Sequence, residues 1–298
     1  MLNAVIGALA SRRWFDTSRP YEKSVLLTRG SGISMLLTRD GKLDTHVKFS
    51  ESSNLWEEAE RCAAAGLAYP SVAARFVGHA HQDGLDILAT QAVEHVALSP
   101  LDLARTDLGD PIRRGLLVYF TAMGAAQAPP LPSVVANRDL VPSLRHFFAG
   151  LPIAPLALNY LDDRLHALVR DLPDLPQHGD FVINNLGLGA DGLVIFDWED
   201  FGRLNLPGLD LYTLRMSAGW GLPAALAAAA PSQLHLPPLV RRLCSVLGLA
   251  LVDFEALIPL YLLAFRFLKR AYGAEVRARM DALLSTCLLG RSAGSQQR

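Results

Sequence analysis

The chain is poor in cysteine and in charge, and it has no uninterrupted apolar run long enough to matter. Cys62, Cys244 and Cys287 are its only cysteines among 298 residues, far apart and odd in number. That argues against a disulfide framework and against a zinc site of clustered thiolates, and it fits a reducing, cytoplasmic setting. Charged residues are 19% and the formal net charge is −1, so no basic excess points to nucleic acid as a partner. Met216 to Val240 runs for 25 residues without Asp, Glu, Lys or Arg. Pro223, Pro231, Pro237 and Pro238 break it, so no membrane span is expected there. Arg12-Arg13 is followed by Asp16, Arg19, Glu22 and Lys23 rather than by the apolar stretch of an export signal. Residues 1–20 therefore read as a helix and lead-in packed on the domain.

What the chain does have is 51% hydrophobic residues and the length to bury a sizeable core. Ser24 to Thr28, Ile33 to Thr38 and Thr45 to Phe49 read as strands, with Asp40-Gly41 as a hairpin turn between the last two. In the third strand Val47 and Phe49 face one way, His46 and Lys48 the other. Ser52-Ser53-Asn54 begins a helix, with Asn54 and Glu57 as a capping box and Gly66 as its stop. Arg75 to Gly78 and Leu85 to Thr90 are two more strands, joined by a polar loop from His79 to Gly84. The order predicts a five-stranded antiparallel sheet carrying one helix. Beyond it the pattern is mostly helical: within Ser99 to Ala125, then Leu140 to Leu151, Pro155 to Leu172, Leu209 to Ala218, Leu239 to Leu247, Phe254 to Tyr272 and Glu275 to Leu289. The polar tail Gly290 to Arg298 reads as frayed.

One stretch interrupts the helices: LPQHGDFVINNLGLGADGLVIFDWEDFG, Leu175 to Gly202. Leu186 to Leu188 and Leu193 to Phe196 are short apolar strands around a Gly-Ala-Asp-Gly turn. Such a hairpin carries Asn185 and Asp197 to its open end, with Asp180 in the loop before it. Converging carboxylate and amide oxygens are hard ligands, suited to Mg²⁺ shared with phosphate oxygens. Carboxylates beside a core also need a cation nearby.

His178-Gly179-Asp180, four residues, Asn185, then an apolar strand ending in Asp197-Trp198-Glu199-Asp200 resembles the signature of the aminoglycoside phosphotransferase and choline kinase superfamily. These are small-molecule kinases with a protein-kinase-like fold, and the resemblance covers about Ser24 to Tyr272. It implies an α+β, two-lobe architecture. A nucleotide-binding lobe, residues 1–92, would carry the small antiparallel sheet with one helix. A larger, mainly helical lobe, residues 93–298, would hold the catalytic and acceptor-binding groups. It also implies an ATP- and Mg²⁺-dependent phosphotransferase acting on a hydroxyl of a small molecule such as an aminoglycoside, choline, a sugar or an amino-alcohol. The alternative is an inactive kinase-like scaffold. Only twelve positions separate Asp197 from Leu209 at the next helix start, which leaves little room for the peptide-docking loop of a protein kinase.

The same resemblance distributes roles. Asp180 would orient the acceptor hydroxyl and take its proton, while Asn185 and Asp197 would hold Mg²⁺. Lys48 would pair with the nucleotide's phosphates, fixed by Glu58, which shares an apolar stripe with Leu55 and Cys62. Glu57 and Glu60 are the other acids of that helix. Gly30-Ser31-Gly32 would let backbone N–H groups approach the phosphates. Thr90 to Glu94 would be the hinge that meets the adenine. His178 and Asp210 would support the loop, Asp210 as a helix-start acid. Glu199 and Asp200 would either line the acceptor site or sit in solvent. Asn205-Leu206-Pro207-Gly208 departs from the Gly-Asp-Pro found in many relatives, and Phe181 to Asn184 departs from their loop residues.

Overall fold

The computed structural model describes residues 1–27, 33–51, 55–99, 102–103, 110–125, 131, 134–217 and 237–295. Gly30, Ser31 and Gly32, Asn54, and most of the Met216 to Val240 stretch lie outside them. The described chain forms two compact units, residues 1–97 with 186–199, and residues 98–185 with 200–298. No helix among the described residues is long and apolar enough to cross a membrane.

The first unit opens with α1 (Leu2–Ser11) and continues through β1 (Glu22–Leu27), β2 (Ile33–Arg39), β3 (Lys42–Ser50), α2 (Trp56–Ala68), β4 (Phe76–Gln82) and β5 (Leu85–Gln91). The five strands make one antiparallel sheet in the order β1-β2-β3-β5-β4. Two turns set its registers. Asp40-Gly41 has φ of 50° and 73°, and Asp83-Gly84 has 53° and 77°. Both are two-residue turns of left-handed conformation, which match the twist of the flanking strands. The second turn corrects the polar loop expected from His79 to Gly84. Asp83-Gly84 closes the hairpin alone, so β4 runs on to Gln82, with His79 opposite Leu88 and His81 opposite Asp86.

One sheet face is sealed by α1. Val5, Ala8, Leu9 and Phe15 pack with Met35, Leu37, Val47, Phe49, Leu85, Ile87 and Ala89, all nearly or fully buried. Residues 1–20 are thus a packed lead-in, as their sequence suggests. Gly78 is required here, since a Cβ on it would lie 2.2 Å from the Trp14 ring. Helix α2 starts one or two residues later than expected and passes Gly66 to end at Ala68. No side chain of its own N-cap, Leu55, satisfies its first turn. The Leu55 N–H is instead taken by Asp86 Oδ2 of β5 at 2.7 Å.

A second sheet of β6 (Val96–Ala97), β7 (Leu186–Gly189) and β8 (Gly192–Ile195) completes this unit. In the β7–β8 hairpin Leu186 faces Ile195 and Gly189 faces Gly192.

The second unit is built from helices α3 (Pro111–Ala125), α4 (Asn137–Phe148), α5 (Ala154–Tyr160), α6 (Asp163–Arg170), α7 (Leu209–Ser217), α8 (Pro237–Val246), α9 (Leu251–Ala256), α10 (Ile258–Leu268) and α11 (Ala274–Ser295). Two single helices expected from the pattern are each broken in two. Pro155 to Leu172 breaks at Leu161-Asp162, where the Asp162 side chain caps α6 by accepting from Leu165 N–H at 2.7 Å. Phe254 to Tyr272 breaks at Leu257, because Pro259 at the start of α10 cannot donate to a preceding turn. The tail expected to fray at Gly290 continues as helix to Ser295.

Candidate active site

In the first unit a single lysine gathers three acids. Lys48 projects from β3 beside the buried Val47 and Phe49. Its Nζ donates to Glu58 Oε2 at 2.8 Å and Oε1 at 3.0 Å, and reaches Glu199 Oε2 at 3.3 Å. Of the three acids on α2, Glu58 is the one that meets Lys48, whereas Glu57 lies 3.8 Å from Arg61. Carboxylate oxygens of Glu58, Asp197 and Glu199 lie within 4.8 Å of one another.

The chain segment after β8 explains how the last two arrive. Asp197 is exposed and sits at φ 58°, a left-handed backbone that costs a non-glycine residue stability and tends to persist only where the surroundings hold it. A short 3₁₀ turn, Trp198–Asp200, follows. Trp198 is buried, stacks on Tyr69 with centroids 5.6 Å apart, and donates its indole N–H to Ile195 O at 2.9 Å. With Trp198 pinned, Glu199 turns to Lys48. Burial by itself would lower the Lys48 pKa, but Glu58, Glu199 and Asp197 outweigh it and hold the ammonium above its ordinary value. Burial raises the Glu58 carboxyl, and Lys48 opposes that rise. Three carboxylates against one ammonium leave an excess of negative charge made of hard oxygen donors, which fits Mg²⁺.

In the second unit the loop before β7 is held from beneath. Asp210, in the first turn of α7, is fully buried. Its Oδ2 accepts from His178 N–H at 2.7 Å and from the Tyr119 hydroxyl at 2.6 Å; its Oδ1 accepts from Gly179 N–H at 2.9 Å. Burial pushes this carboxyl up, against the charge of His178 and these hydrogen bonds. His178 is itself fully buried, and its Nδ1 accepts from Asp180 N–H at 3.3 Å. Phe181 stacks on Tyr119 with centroids 4.7 Å apart. Asn185 Nδ2 donates to Asp180 O at 2.8 Å, which leaves Oδ1 as the amide atom suited to a cation.

Sequence reading missed one group, and one of its two options for Asp200, solvent, does not hold. Lys269, only 1% exposed, lies 2.9 Å from Asp180 Oδ2 and 2.7 Å from Asp200 Oδ2. Asp200 is therefore buried in an ion pair, with Arg203 on its other oxygen at 3.3 Å, and does not sit in solvent. Glu199 likewise belongs with Lys48. A signal for Lys269 did exist: it extends the stripe Leu262 and Phe265 of a helix apolar but for Arg266, where a cation needs a buried acid. Gly30, Ser31 and Gly32 lie outside the described residues.

No family model matches the sequence, and no curated protein does. Solved structures match the fold. APH(2")-IIia, in its complex with GDP and kanamycin, is 14% identical over 96% of this chain and 98% of its own, with a TM-score of 0.64. The choline kinase LicA from Streptococcus pneumoniae is 12% identical over 96% and 98%, with a TM-score of 0.64. A choline/ethanolamine kinase family protein from Mesorhizobium loti is 17% identical over 96% and 97%, with a TM-score of 0.57. The fold is kinase-like and is shared with aminoglycoside phosphotransferases and choline kinases.

Proposed function

We propose that this chain is a small-molecule kinase that transfers the γ-phosphoryl group of ATP, with Mg²⁺, to an acceptor hydroxyl. The observation that carries the reading is the Lys48–Glu58 ion pair at 2.8 Å with Asp197 beside it. Lys48 meets the nucleotide's phosphates, and Glu58 keeps its ammonium in place. Asp197 and Asn185 are the proposed Mg²⁺ ligands; the ion would neutralise phosphate charge. Asp180 orients the acceptor hydroxyl and accepts its proton. The acceptor oxygen forms the new P–O bond as the bond to the bridging oxygen breaks, and ADP leaves with that electron pair. Positioning and charge neutralisation supply most of what this reaction asks of a protein. The division of labour follows the expected lobes, 1–92 for nucleotide and 93–298 for acceptor and catalysis, in a cytoplasmic protein. APH(2")-IIia, in complex with GDP and kanamycin, and the choline kinase supply the acceptor classes to try first, an aminoglycoside and an amino-alcohol.

The test is thermal unfolding with and without Mg-ATP, on wild type and Asp197→Asn, followed by phosphate transfer to kanamycin and choline. Ligand at about 100 times its dissociation constant should stabilise wild type by about 2.7 kcal/mol. The gain should need Mg²⁺ and shrink in the variant. Absence of any gain at millimolar Mg-ATP sinks the reading; binding without transfer to any acceptor, water included, supports a scaffold.

A further inference from the structure

Helix α10 is apolar throughout except at Arg266, and the residue that caps its C-terminus is Lys269. A cation suits a helix C-terminus, but a buried one costs stability unless it is paired. Lys269 is enclosed by the Tyr272 ring at 4.9 Å and the Phe265 ring at 5.7 Å, with Asp200 and Asp180 as its carboxylate partners. Asp200 also has Arg203. Two acids and two bases thus form a neutral group, and the lysine is the member that touches Asp180.

We infer that Lys269 is a positioning residue for phosphoryl transfer, fixing the Asp180 carboxylate through Oδ2 so that Oδ1 is presented to the acceptor hydroxyl. This rests on the phosphotransferase reading above. His178, Asn185 and Asp210 hold the backbone of the loop, through Asp180 N–H, Asp180 O and the two preceding amides. None of those bonds fixes the rotation of the Asp180 side chain. The ion pair to Lys269 does, and it comes from a helix more than eighty positions away in sequence. Asp200 serves as the counter-ion that lets a lysine be buried there at all.

The experiment uses the full chain with Mg-ATP and follows phosphate release to water and transfer to choline and kanamycin. Lys269→Met alone leaves Asp200 buried with less compensation and can fail to fold, so the informative variants are Asp200→Asn and the double variant K269M/D200N. The double variant removes the buried pair together and leaves Asp180 without its cation. Its expected behaviour is a kcat lower by about 100-fold, the scale set by a misplaced catalytic group, with KM for Mg-ATP unchanged. D200N, which keeps the Lys269–Asp180 pair, should lose far less. A folded double variant with wild-type kcat overturns the inference while the function stands. So does a D200N as slow as the double variant, since the lysine would then be serving Asp200. Wild type that binds Mg-ATP and transfers phosphate to nothing overturns the function, and the inference with it.

Discussion

Gly179 resists replacement on two counts. Its φ is 83°, and a Cβ on it would lie 3.0 Å from both the Cβ and the carbonyl oxygen of Asp200. Gly179→Ala should therefore cost about 1–3 kcal/mol, the range for a residue forced into a sparsely populated backbone conformation. It should also pull the His178 and Gly179 amides off Asp210, so kcat should fall while Mg-ATP binding, which the proposed function assigns to Lys48 and Glu58, is kept. Urea unfolding and isothermal titration read the two effects. A variant as stable and as active as wild type would remove the brace from the argument. At this scale the sequence was legible in the Lys48–Glu58 pair, where a carboxylate on an apolar stripe calls for a cation. It was opaque where a residue's partner is chosen by packing. Nothing local to Lys269 tells that it meets Asp180 and Asp200, and nothing local to Glu199 tells that Trp198, pinned on Tyr69, turns it to Lys48.

Helix α2 carries Glu58, so its anchorage bears on the Lys48–Glu58 pair that the proposed function places at the nucleotide. That anchorage is borrowed from the sheet: Asp86 Oδ2 takes the Leu55 N–H, while Asp86 Oδ1 lies 3.1 Å from His81 Nδ1 and 3.4 Å from His79 Nε2. Asp86→Ala leaves a helix-start donor unpaired and should cost about 1 kcal/mol, as loss of a cap does. Because the start of α2 then loosens, Mg-ATP affinity should drop too. Glu57→Gln on the same helix, whose exposed side chain only approaches Arg61, is the control that should keep affinity. Equal affinities in the two variants would show that the cap does not govern Glu58. The elements themselves were unevenly readable. Strands and Asp-Gly turns follow from local rules of period and φ, and even the one misjudged loop carried its own turn signal in Asp83-Gly84. The helix breaks at Asp162 and Leu257 were hidden because the apolar period runs straight through them, and a cap or a proline ends a helix without disturbing that period. The choice of Glu58 stood on the apolar stripe; the capping box at Asn54 falls outside the described residues.

Among the described residues, six groups that titrate in the alkaline range have pKa values displaced in the same direction. Lys48 and Lys269 lie in different units, and in each burial would lower the pKa but ion pairs raise it. Burial raises the Cys62 thiol, the Cys244 thiol to about 11, and the hydroxyls of Tyr212 and Tyr261. A pKa raised in the folded state means that the native chain binds more protons than the unfolded one at alkaline pH. Stability then falls as pH rises, beginning at the unfolded-state values and continuing to the raised ones. Those ordinary values are about 8.5 for cysteine, 10 for tyrosine and 10.4 for lysine, so the loss should begin near pH 9 and steepen above pH 10. Urea midpoints measured from pH 7 to 11 should show that curve, with a shallower alkaline limb in Lys48→Met and in K269M/D200N. A midpoint that stays level to pH 11 would mean that these groups are not held as the structure places them. A limb equally steep in both lysine variants would assign the effect to the buried thiols and tyrosines alone, and would leave the ion pairs around Lys48 and Lys269 as local devices with no share in global stability.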